Sequence, residues 1–354
     1  MQLGIIGMPM VGKTSIFELL TENTARAHSG SKANVAMGRI PDGRIDYLSG
    51  IFKPKKTTYA QMEVVDIPGL VPGADRAAAV FLDSVRKADA LLMVIRLFDD
   101  DSVPIYGDNI NPVRDIETIN YELLLADLDL IEKRIERINA NKKKAMMAEE
   151  LSLLERLQKA LENEQPLSSV DLNEKDYELL TAYQFLTLKP LLVCLNLSEN
   201  QLASHDYQGK EDVCKYCGQR SLPIVEVSAS IERDILELSP EERDLFMEEL
   251  RIDEAGIVKI SRTMYDHLGL MSFFTVGEDE VKAWTIEKGT VARKAAGKIH
   301  SDIERGFIRA EVVNYDEFKE LGSMTAVKEK GLFRLEGKEY IVKDGEIVHF
   351  RFNV

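Results

Sequence analysis

The stretch Leu3-Gly-Ile-Ile-Gly-Met-Pro-Met-Val-Gly-Lys-Thr-Ser15 decides the fold of this chain. It opens with a short apolar run that predicts a buried strand, and the residues from Ser15 to about Thr21 predict a helix. Between them, Gly7-x-x-x-x-Gly12-Lys13-Thr14 has the spacing of a P-loop, in which glycines let backbone N–H groups turn around phosphates at a helix N-terminus. The order of strand, glycine loop and helix therefore predicts an α/β domain that binds a nucleotide.

Each residue of the P-loop has an expected role. Lys13 should reach the β and γ phosphates, which makes it the candidate catalytic residue. The hydroxyl of Thr14 should bind Mg²⁺. The remaining contacts to the nucleotide that the motif predicts are Gly7, Met10, Val11, Gly12 and Ser15.

A second phosphate element follows a predicted strand over residues 61–65. It reads Asp66-Ile-Pro-Gly69, an acidic residue at a strand end before a tight glycine turn. The Asp66 carboxylate is expected to hold Mg²⁺ through water, and the Gly69 N–H to sense the γ phosphate. Together with the P-loop, this element predicts a G-type NTPase domain with a parallel sheet.

The base-binding motif is altered. The apolar run from Leu191 ends at Asn196 and continues as Leu197-Ser-Glu199, where a GTPase carries Asn-Lys-x-Asp. The Asp of that motif accepts two hydrogen bonds from guanine, and the longer arm of Glu199 would misplace the carboxylate. Leu197 replaces the Lys whose stem covers the base, and Ser228-Ala229 is expected to form the last base-contacting loop. The sequence therefore predicts that ATP binds at least as tightly as GTP.

The rest of the chain changes pattern twice. From about residue 115 apolar residues are spaced 4, 3, 4, 3 as in a coiled-coil seam, and a second helix that can pack back on the first follows a polar turn. After about residue 271 the chain is rich in predicted strands with frequent glycine. We expect an NTPase domain over residues 1–114 and 176–270, a helical hairpin over 115–175, and a small domain over 271–354.

Composition bounds the partners. The 354 residues carry 45 Lys and Arg against 60 Asp and Glu, a net charge of -15, which disfavours bulk DNA binding. There is no 18-residue apolar run and no leader pattern, so we expect a cytoplasmic protein without membrane contact. The three cysteines argue against a disulfide framework, and we interpret Cys214 and Cys217 as structural rather than metal-binding or redox-active.

Several longer segments resemble one family, the YchF or Obg-like ATPases. They are Asn196 to Glu199, Leu97-Phe-Asp-Asp-Asp101, Asn111-Pro-Val-Arg-Asp-Ile-Glu117, Phe273-Phe-Thr-Val-Gly-Glu-Asp-Glu-Val-Lys-Ala-Trp-Thr-Ile286, Ala295-Ala-Gly-Lys-Ile-His-Ser-Asp302 and Phe350-Arg-Phe-Asn-Val354. The resemblance covers essentially the whole chain. It implies a C-terminal TGS domain of β-grasp type, a preference for ATP, and the ribosome or structured RNA as partner.

The chain departs from the family around the γ phosphate. Met10 stands where the family carries an Asn that helps to bind a monovalent cation, and Met93 stands where it carries a His. Residues 29–34 lack the Thr that closes the first switch on Mg²⁺, and residues 75–80 are shorter than the usual second switch and lack glycine. These departures predict slow hydrolysis with little response to K⁺.

Three functions remain open at this point. The first is an ATP-binding switch with slow hydrolysis that acts near the ribosome. The second is a nucleotide-binding module with little hydrolysis, whose C-terminal domain makes the interactions. The third is a true GTPase in which another residue reads guanine. Intact Lys13, Thr14 and Asp66 favour nucleotide binding in all three cases.

One stretch of the acidic chain is basic. Between Lys282 and Arg309 there are seven Lys or Arg residues and three acidic residues. This charge fits a phosphate backbone, although basic stretches are also common on solvated surfaces. We expect Arg293 and Lys294 to contribute to ribosome binding.

Overall fold

The computed structural model describes residues 2–22, 34–71, 75–105, 107, 109–141 and 144–353. The chain divides into two compact units. Unit 1 comprises Met1–Met37 and Glu63–Ile260, and unit 2 comprises Gly38–Met62 and Ser261–Val354. Within the described ranges, no helix combines the length and the apolar character needed to cross a bilayer.

The described residues form twelve strands and fifteen α-helices. The strands are β1 (Gln2–Ile6), β2 (Asn34–Arg39), β3 (Lys56–Thr58), β4 (Gln61–Asp66), β5 (Ala90–Arg96), β6 (Leu191–Asn196), β7 (Ile224–Val227), β8 (Leu270–Thr275), β9 (Glu280–Glu287), β10 (Phe307–Val313), β11 (Arg334–Glu336) and β12 (Ile347–Phe352). The helices are α1 (Lys13–Leu20), α2 (Gly43–Phe52), α3 (Asp75–Lys87), α4 (Pro112–Asn139), α5 (Ala148–Glu162), α6 (Glu174–Leu180), α7 (Glu199–Ser204), α8 (Lys210–Gln219), α9 (Ala229–Glu237), α10 (Pro240–Glu249), α11 (Gly256–His267), α12 (Ala292–Ile299), α13 (Ser301–Arg305), α14 (Tyr315–Leu321) and α15 (Met324–Glu329). Two short 3₁₀ helices cover Lys144–Met147 and Leu167–Ser169.

The sheet of unit 1 confirms the predicted α/β architecture. Its strand order is β2-β4-β1-β5-β6-β7. Strand β1 pairs in parallel with β4 and β5, β5 pairs in parallel with β6, and β6 with β7. The carboxyl ends of these strands therefore meet at one edge of the sheet, the edge where open α/β sheets bind ligands. Gly7, Asp66 and Asn196 all stand at that edge.

The predicted helical hairpin is formed by α4 and α5. Leu124, Ile131 and Ile138 of α4 are buried in one apolar cluster with residues of α5 that include Leu154 and Leu157. Helix α4 begins with Pro112 behind the N-cap Asn111, whose side chain accepts a hydrogen bond from the Arg114 N–H at 3.1 Å. The coiled-coil spacing thus indicated real packing between two helices.

The sheet of unit 2 has the order β11-β10-β12-β8-β9-β3. Its core includes Phe273 of β8, Ala295 of α12 and Phe350 of β12. Its edge strand β3 comes from a distant part of the chain and pairs in parallel with β9, with Lys56 opposite Glu280.

The compact units differ from the predicted domains at one segment. Residues 38–62, which the sequence pattern assigned to the NTPase domain, are grouped with Ser261–Val354 in unit 2. The Arg44 guanidinium forms ion pairs with Asp344 at 2.6 Å and with Asp42 at 2.8 Å, and Phe52 stacks on Phe318 with ring centroids 5.6 Å apart. Apart from the local pair with Asp42, these contacts join residues about 270 to 300 positions apart, so local sequence patterns carried no sign of them.

Candidate nucleotide-binding site

The phosphate loop connects β1 to α1 in a conformation that needs glycine. Gly12 has φ 93°, in the left-handed region, and a Cβ there would lie 2.3 Å from the Asn196 Nδ2. A Cβ at Gly7 would lie 2.5 Å from the carbonyl oxygen of Val94. Both glycines of the motif are thus required by close approaches to the neighbouring strands as well as by the loop itself.

The Lys13 side chain is folded into this loop. Lys13 is 9 % exposed, and its Nζ donates a hydrogen bond to the Met8 carbonyl at 2.8 Å. Burial lowers the pKa of Lys13 to about 8, against the opposing influence of the Asp66 charge. A Cβ at Gly69 would lie 3.1 Å from Lys13 Nζ, so the second element closes on the same lysine.

Thr14 and Asp66 form the oxygen-rich part of the site. The Thr14 Oγ1 donates a hydrogen bond to Asp66 Oδ2 at 2.8 Å, which joins the start of α1 to the end of β4. A hydroxyl and a carboxylate are the hard oxygen ligands that Mg²⁺ prefers, usually completed by waters and substrate phosphates. Among the described residues, no group of three or more His, Cys, Asp or Glu side chains could hold a metal. The donor set fits a magnesium ion shared with a nucleotide.

Asn196 bridges two loops of the site. It is 3 % exposed, its Nδ2 donates to the Val11 carbonyl at 3.1 Å, and its Oδ1 accepts from the Ala229 N–H at 3.2 Å. Both ends of the amide are therefore engaged within the protein. The side chain holds the P-loop against the loop after β7.

The next two predicted residues differ in exposure. Leu197 is 2 % exposed, and its N–H donates to the Val227 carbonyl at 2.7 Å. The structure therefore does not bring the Leu197 side chain to an open surface where it would cover a base. Glu199 is exposed as the first residue of α7, directly after the N-cap Ser198, so its carboxylate is free to approach a ligand.

The loop after β7 is held from within. Ser228 is fully buried, and its Oγ lies 2.9 Å from the Ser230 Oγ. Ala229 contributes the N–H that Asn196 accepts. Ser228 and Ala229, the two residues predicted to contact the base, therefore both form hydrogen bonds within the protein. Ala229 is the more exposed of the two.

Two positioning residues were missed by the sequence patterns. Glu232 is 3 % exposed on α9 and accepts hydrogen bonds from the N–H groups of Gly256 and Ile257 at the start of α11, and burial raises its pKa. Arg96 is 4 % exposed, and its guanidinium donates to the carbonyls of Phe98 at 3.1 Å and Pro104 at 2.8 Å. A charged residue within an apolar pattern was the available signal for each.

The positions that depart from the family lie in different surroundings. Met10 is 57 % exposed with φ 61°, a left-handed conformation in which Asn is favoured over Met. Met93 is fully buried in β5, so it points into the protein core. The first-switch residues 29–33 lie outside the described residues, and the backbone of the second-switch residues 75–80 forms the start of α3.

The paired cysteines show no sign of a reactive site. Cys214 and Cys217 are both free thiols on α8, the first exposed and the second buried, and Cys194 is a free thiol buried in β6. Burial raises the pKa of Cys217 to about 11, which keeps it protonated at neutral pH. The geometry agrees with a structural interpretation.

Two sequence families match this chain. Residues 2–148 match the family described as "50S ribosome-binding GTPase". Residues 270–353 match the C-terminal family of YchF GTPases, which is described as "Protein of unknown function (DUF933)".

Full-length relatives extend the match to the whole chain. The "Ribosome-binding ATPase YchF" of Bacillus subtilis (strain 168) is 42 % identical over 363 residues, with 99 % of each chain covered. The protein of the same name from Escherichia coli O157:H7 is 40 % identical over 361 residues, again with 99 % of each chain covered. Among solved structures, the Schizosaccharomyces pombe YchF GTPase superposes with a TM-score of 0.88 at 29 % identity, covering 99 % of this chain and 97 % of that one.

Proposed function

The chain belongs to the YchF family, and on that basis we propose that it is a Mg²⁺-dependent P-loop ATPase that associates with ribosomes. A ribosomal partner would place it in the cytoplasm. The observation that carries the proposal is the convergence of Lys13, Thr14 and Asp66 at the carboxyl edge of the parallel sheet. This arrangement supports the binding of a nucleoside triphosphate with its metal.

Each of the three residues has a defined task in this mechanism. Lys13, released from the Met8 carbonyl, pairs with the β and γ phosphates, and the P-loop N–H groups bind the phosphate oxygens. Thr14 and, through water, Asp66 would hold Mg²⁺, which supplies charge neutralisation on the phosphates when bound. Gly69 offers its N–H to the γ phosphate beside Lys13.

We assign the choice of base to Glu199 rather than to Asn196 or Leu197. The Asn196 amide is engaged on both sides, and Leu197 is buried, whereas Glu199 is exposed at the start of α7. A Glu in place of Asp misplaces the carboxylate that would accept from guanine. Loss of such a paired hydrogen bond costs about 1–3 kcal/mol, roughly ten- to a hundredfold in affinity, so GTP loses its usual advantage.

Slow hydrolysis is the second part of the proposal. Met10 and Met93 provide no polar group for a cation or for an attacking water, and burial removes Met93 from the site altogether. Removing one electrostatic contributor to a transition state costs about 10²–10³ in rate, and such losses are not additive. We therefore expect the chain to retain its affinity for nucleotide while its hydrolysis rate is reduced. A binding module with little hydrolysis is the second candidate function.

One set of measurements tests the nucleotide part. The Kd values of ATP and GTP are measured by calorimetry on the full chain with Mg²⁺, followed by turnover in K⁺ and in Na⁺. The proposal expects ATP to bind at least as tightly as GTP, with slow turnover that K⁺ hardly changes. A tenfold preference for GTP would support a true GTPase, and turnover that cannot be detected would support the binding module. Brisk turnover stimulated by K⁺ would contradict the assigned effect of Met10.

The ribosome part of the proposal concerns unit 2, which carries the predicted basic stretch. Several of its basic side chains are neutralised locally: Lys294 pairs with Glu304 at 2.8 Å, Lys288 with Asp266, and Arg305 with Asp302. Lys298 and Arg309 are exposed and have no carboxylate partner among the described residues. The free charge is thus smaller than the sequence count suggests, and it is concentrated on α12 and β10.

Charge reversal on α12 tests this surface. Arg293→Glu with Lys294→Glu should weaken co-sedimentation with ribosomes and flatten its salt dependence. The matched control is Lys328→Glu with Lys330→Glu at the C-terminal end of α15, which changes the net charge equally at another exposed position of unit 2. Equal losses in both variants would indicate a general charge effect, and no loss in either would exclude Arg293 and Lys294 as contacts.

A further inference from the structure

A cavity lies at the base of the helical hairpin, where α4, the segment that follows α5, and α8 meet the sheet of unit 1. Its volume is about 300 Å³, the space of roughly ten water molecules. Six leucines form its apolar wall: Leu91, Leu123, Leu124, Leu186, Leu191 and Leu222. A cavity of this size and character matches the small-molecule sites of other proteins, which are mostly apolar with a few convergent polar groups.

The cavity is separate from the nucleotide site. Leu91 and Leu191 stand near the beginnings of β5 and β6, whereas Arg96 and Asn196 stand at the ends of the same two strands. Because the strands are parallel, the cavity opens at the amino edge of the sheet and the P-loop lies at the carboxyl edge. A molecule in the cavity would not compete for the phosphate loop.

A buried acid fixes one wall of the cavity. Asp127 of α4 is fully buried and accepts hydrogen bonds from the N–H groups of Leu186 at 2.9 Å and Thr187 at 2.8 Å. The Thr187 hydroxyl donates to the same carboxylate at 2.8 Å. The segment before β6 is thereby held to the hairpin, so the wall is formed in advance rather than by a ligand.

One charged group on the wall is incompletely satisfied. Lys189 is half-buried, and its ammonium donates to the carbonyls of Arg86, at 3.0 Å, and Ala88. An ammonium has three N–H donors, and the described residues provide no third acceptor. Burial also lowers the pKa of Lys189, against the opposing charges of Asp89 and Asp127, and a bound anion would raise it again.

The mouth of the cavity carries charges of both signs. Arg220 is exposed, with its guanidinium over the Tyr216 ring at 3.9 Å, and it has no acidic partner among the described residues. Glu117 and Glu164 also line the cavity, are exposed, and form no ion pair in the described part of the chain. The basic groups favour an anion, and the two carboxylates disfavour one with several charges, such as a phosphate ester.

We infer that this cavity is a second binding site, for a small molecule with an apolar body and a single carboxylate. The body packs against the leucines, and the carboxylate accepts from Lys189 with Arg220 at the mouth. Because the cavity joins the hairpin to the sheet, an occupant stabilises the docking of α4 and α5. The site goes beyond the proposed ATPase activity and does not depend on it.

The test uses 4-phenylbutyrate as probe, with 4-phenylbutan-1-ol and 4-phenylbutylamine as matched neutral and cationic compounds. Binding to the full chain is measured by ligand-observed NMR and calorimetry, with and without saturating ATP. The acid should bind about tenfold more tightly than the alcohol, since a charge-assisted hydrogen bond is lost, and the amine should bind most weakly. Saturating ATP should leave the Kd of the acid within twofold.

Variants at the mouth keep the test independent of folding. Ser168→Trp, at an exposed residue that lines the cavity, should weaken binding at least tenfold, whereas Ser169→Trp, at its exposed neighbour, should not. Lys189→Met should reduce the advantage of the acid over the alcohol, and Arg220→Ala, at an exposed residue where the fold is not at risk, should reduce it as well. Equal binding of the three compounds, full binding by the Ser168→Trp variant, or displacement by ATP would each overturn the inference.

Discussion

The Asn196 side chain donates from Nδ2 to the Val11 carbonyl at 3.1 Å and thereby ties the end of β6 to the phosphate loop. The same amide accepts from the Ala229 N–H at 3.2 Å. A residue that family motifs associate with the base thus holds two loops together. The positioning of the loops can therefore be tested by mutation of Asn196, and the preference for a base by mutation of Glu199.

Asn196→Ala should weaken ATP and GTP binding to the same extent. Both hydrogen bonds are lost, each worth about 1 kcal/mol, so affinity should fall by roughly tenfold or more for either nucleotide. Calorimetry with both nucleotides gives the ratio, which should stay within twofold of the unmodified chain. Asn200→Ala, at an exposed residue of α7, is the control and should bind normally. A change confined to one nucleotide would assign base reading to Asn196.

Glu199→Asp should move the preference toward GTP. The shorter side chain brings the carboxylate to the distance at which it can accept from guanine, so GTP should gain about tenfold relative to ATP. Asn200→Asp adds a carboxylate one residue away and should not alter the ratio of the two Kd values. If both variants shift the ratio equally, general electrostatics explains the effect and the assignment of Glu199 is wrong.

Met10→Asn should stabilise the nucleotide-free protein. Met10 has φ 61°, where a non-glycine residue costs about 1 kcal/mol and Asn is tolerated better. The free energy of unfolding in urea should rise by a few tenths to about 1 kcal/mol. Met146→Asn, at a residue that is 83 % exposed in a 3₁₀ helix, is the matched control and should give no gain. Equal effects at both positions would rule out relief of backbone strain.

ATP affinity should fall as the pH rises above about 8. Burial lowers the pKa of Lys13 to about 8 in the nucleotide-free protein, so the ammonium is present below that pH and is lost above it. Since the bound phosphates require the charged form, binding takes up a proton at high pH, and Kd should rise about tenfold near pH 9. Calorimetry in buffers of different ionisation enthalpy at pH 8.5 measures the proton directly. A Kd that is constant from pH 7 to 9 would contradict the lowered pKa of Lys13.

Arg44→Ala should destabilise unit 2, although residue 44 precedes the larger segment of that unit, Ser261–Val354, by more than 200 positions. The Arg44 guanidinium joins Asp42 and Asp344, and Asp344 also accepts from the Ser272 N–H at 3.0 Å. Loss of these charge-assisted bonds should cost about 2 kcal/mol and reduce hydrogen-exchange protection in β8. Lys55→Ala breaks the Lys55–Asp279 pair, whose side chains are 82 % and 86 % exposed, and should have no measurable effect. Loss of protection confined to unit 1 would contradict the assignment of residues 38–62.

The local patterns of the sequence determined the P-loop, the parallel sheet and the helical hairpin. Each depends on residues close together in the chain: two glycines and a lysine around a turn, apolar runs of strand length, and leucines at a spacing of three and four. The backbone N–H groups that receive a phosphate are arranged by the glycines of the loop itself. For that reason Gly7, Lys13 and Thr14 were recognisable as a site before any contact was known.

Only the tertiary structure decided where residues 38–62 belong and what Asn196, Leu197 and Met10 do. Strand β3 pairs with β9 across more than 200 residues, and Asn196 meets Val11 across 185. The burial of Leu197 likewise depends on packing. The P-loop imposes on Met10 a left-handed conformation, which Asn or Gly adopts more readily than Met. Local preference fixes which elements form, whereas hydrogen bonds and packing between distant segments fix which side chains remain free to meet a ligand.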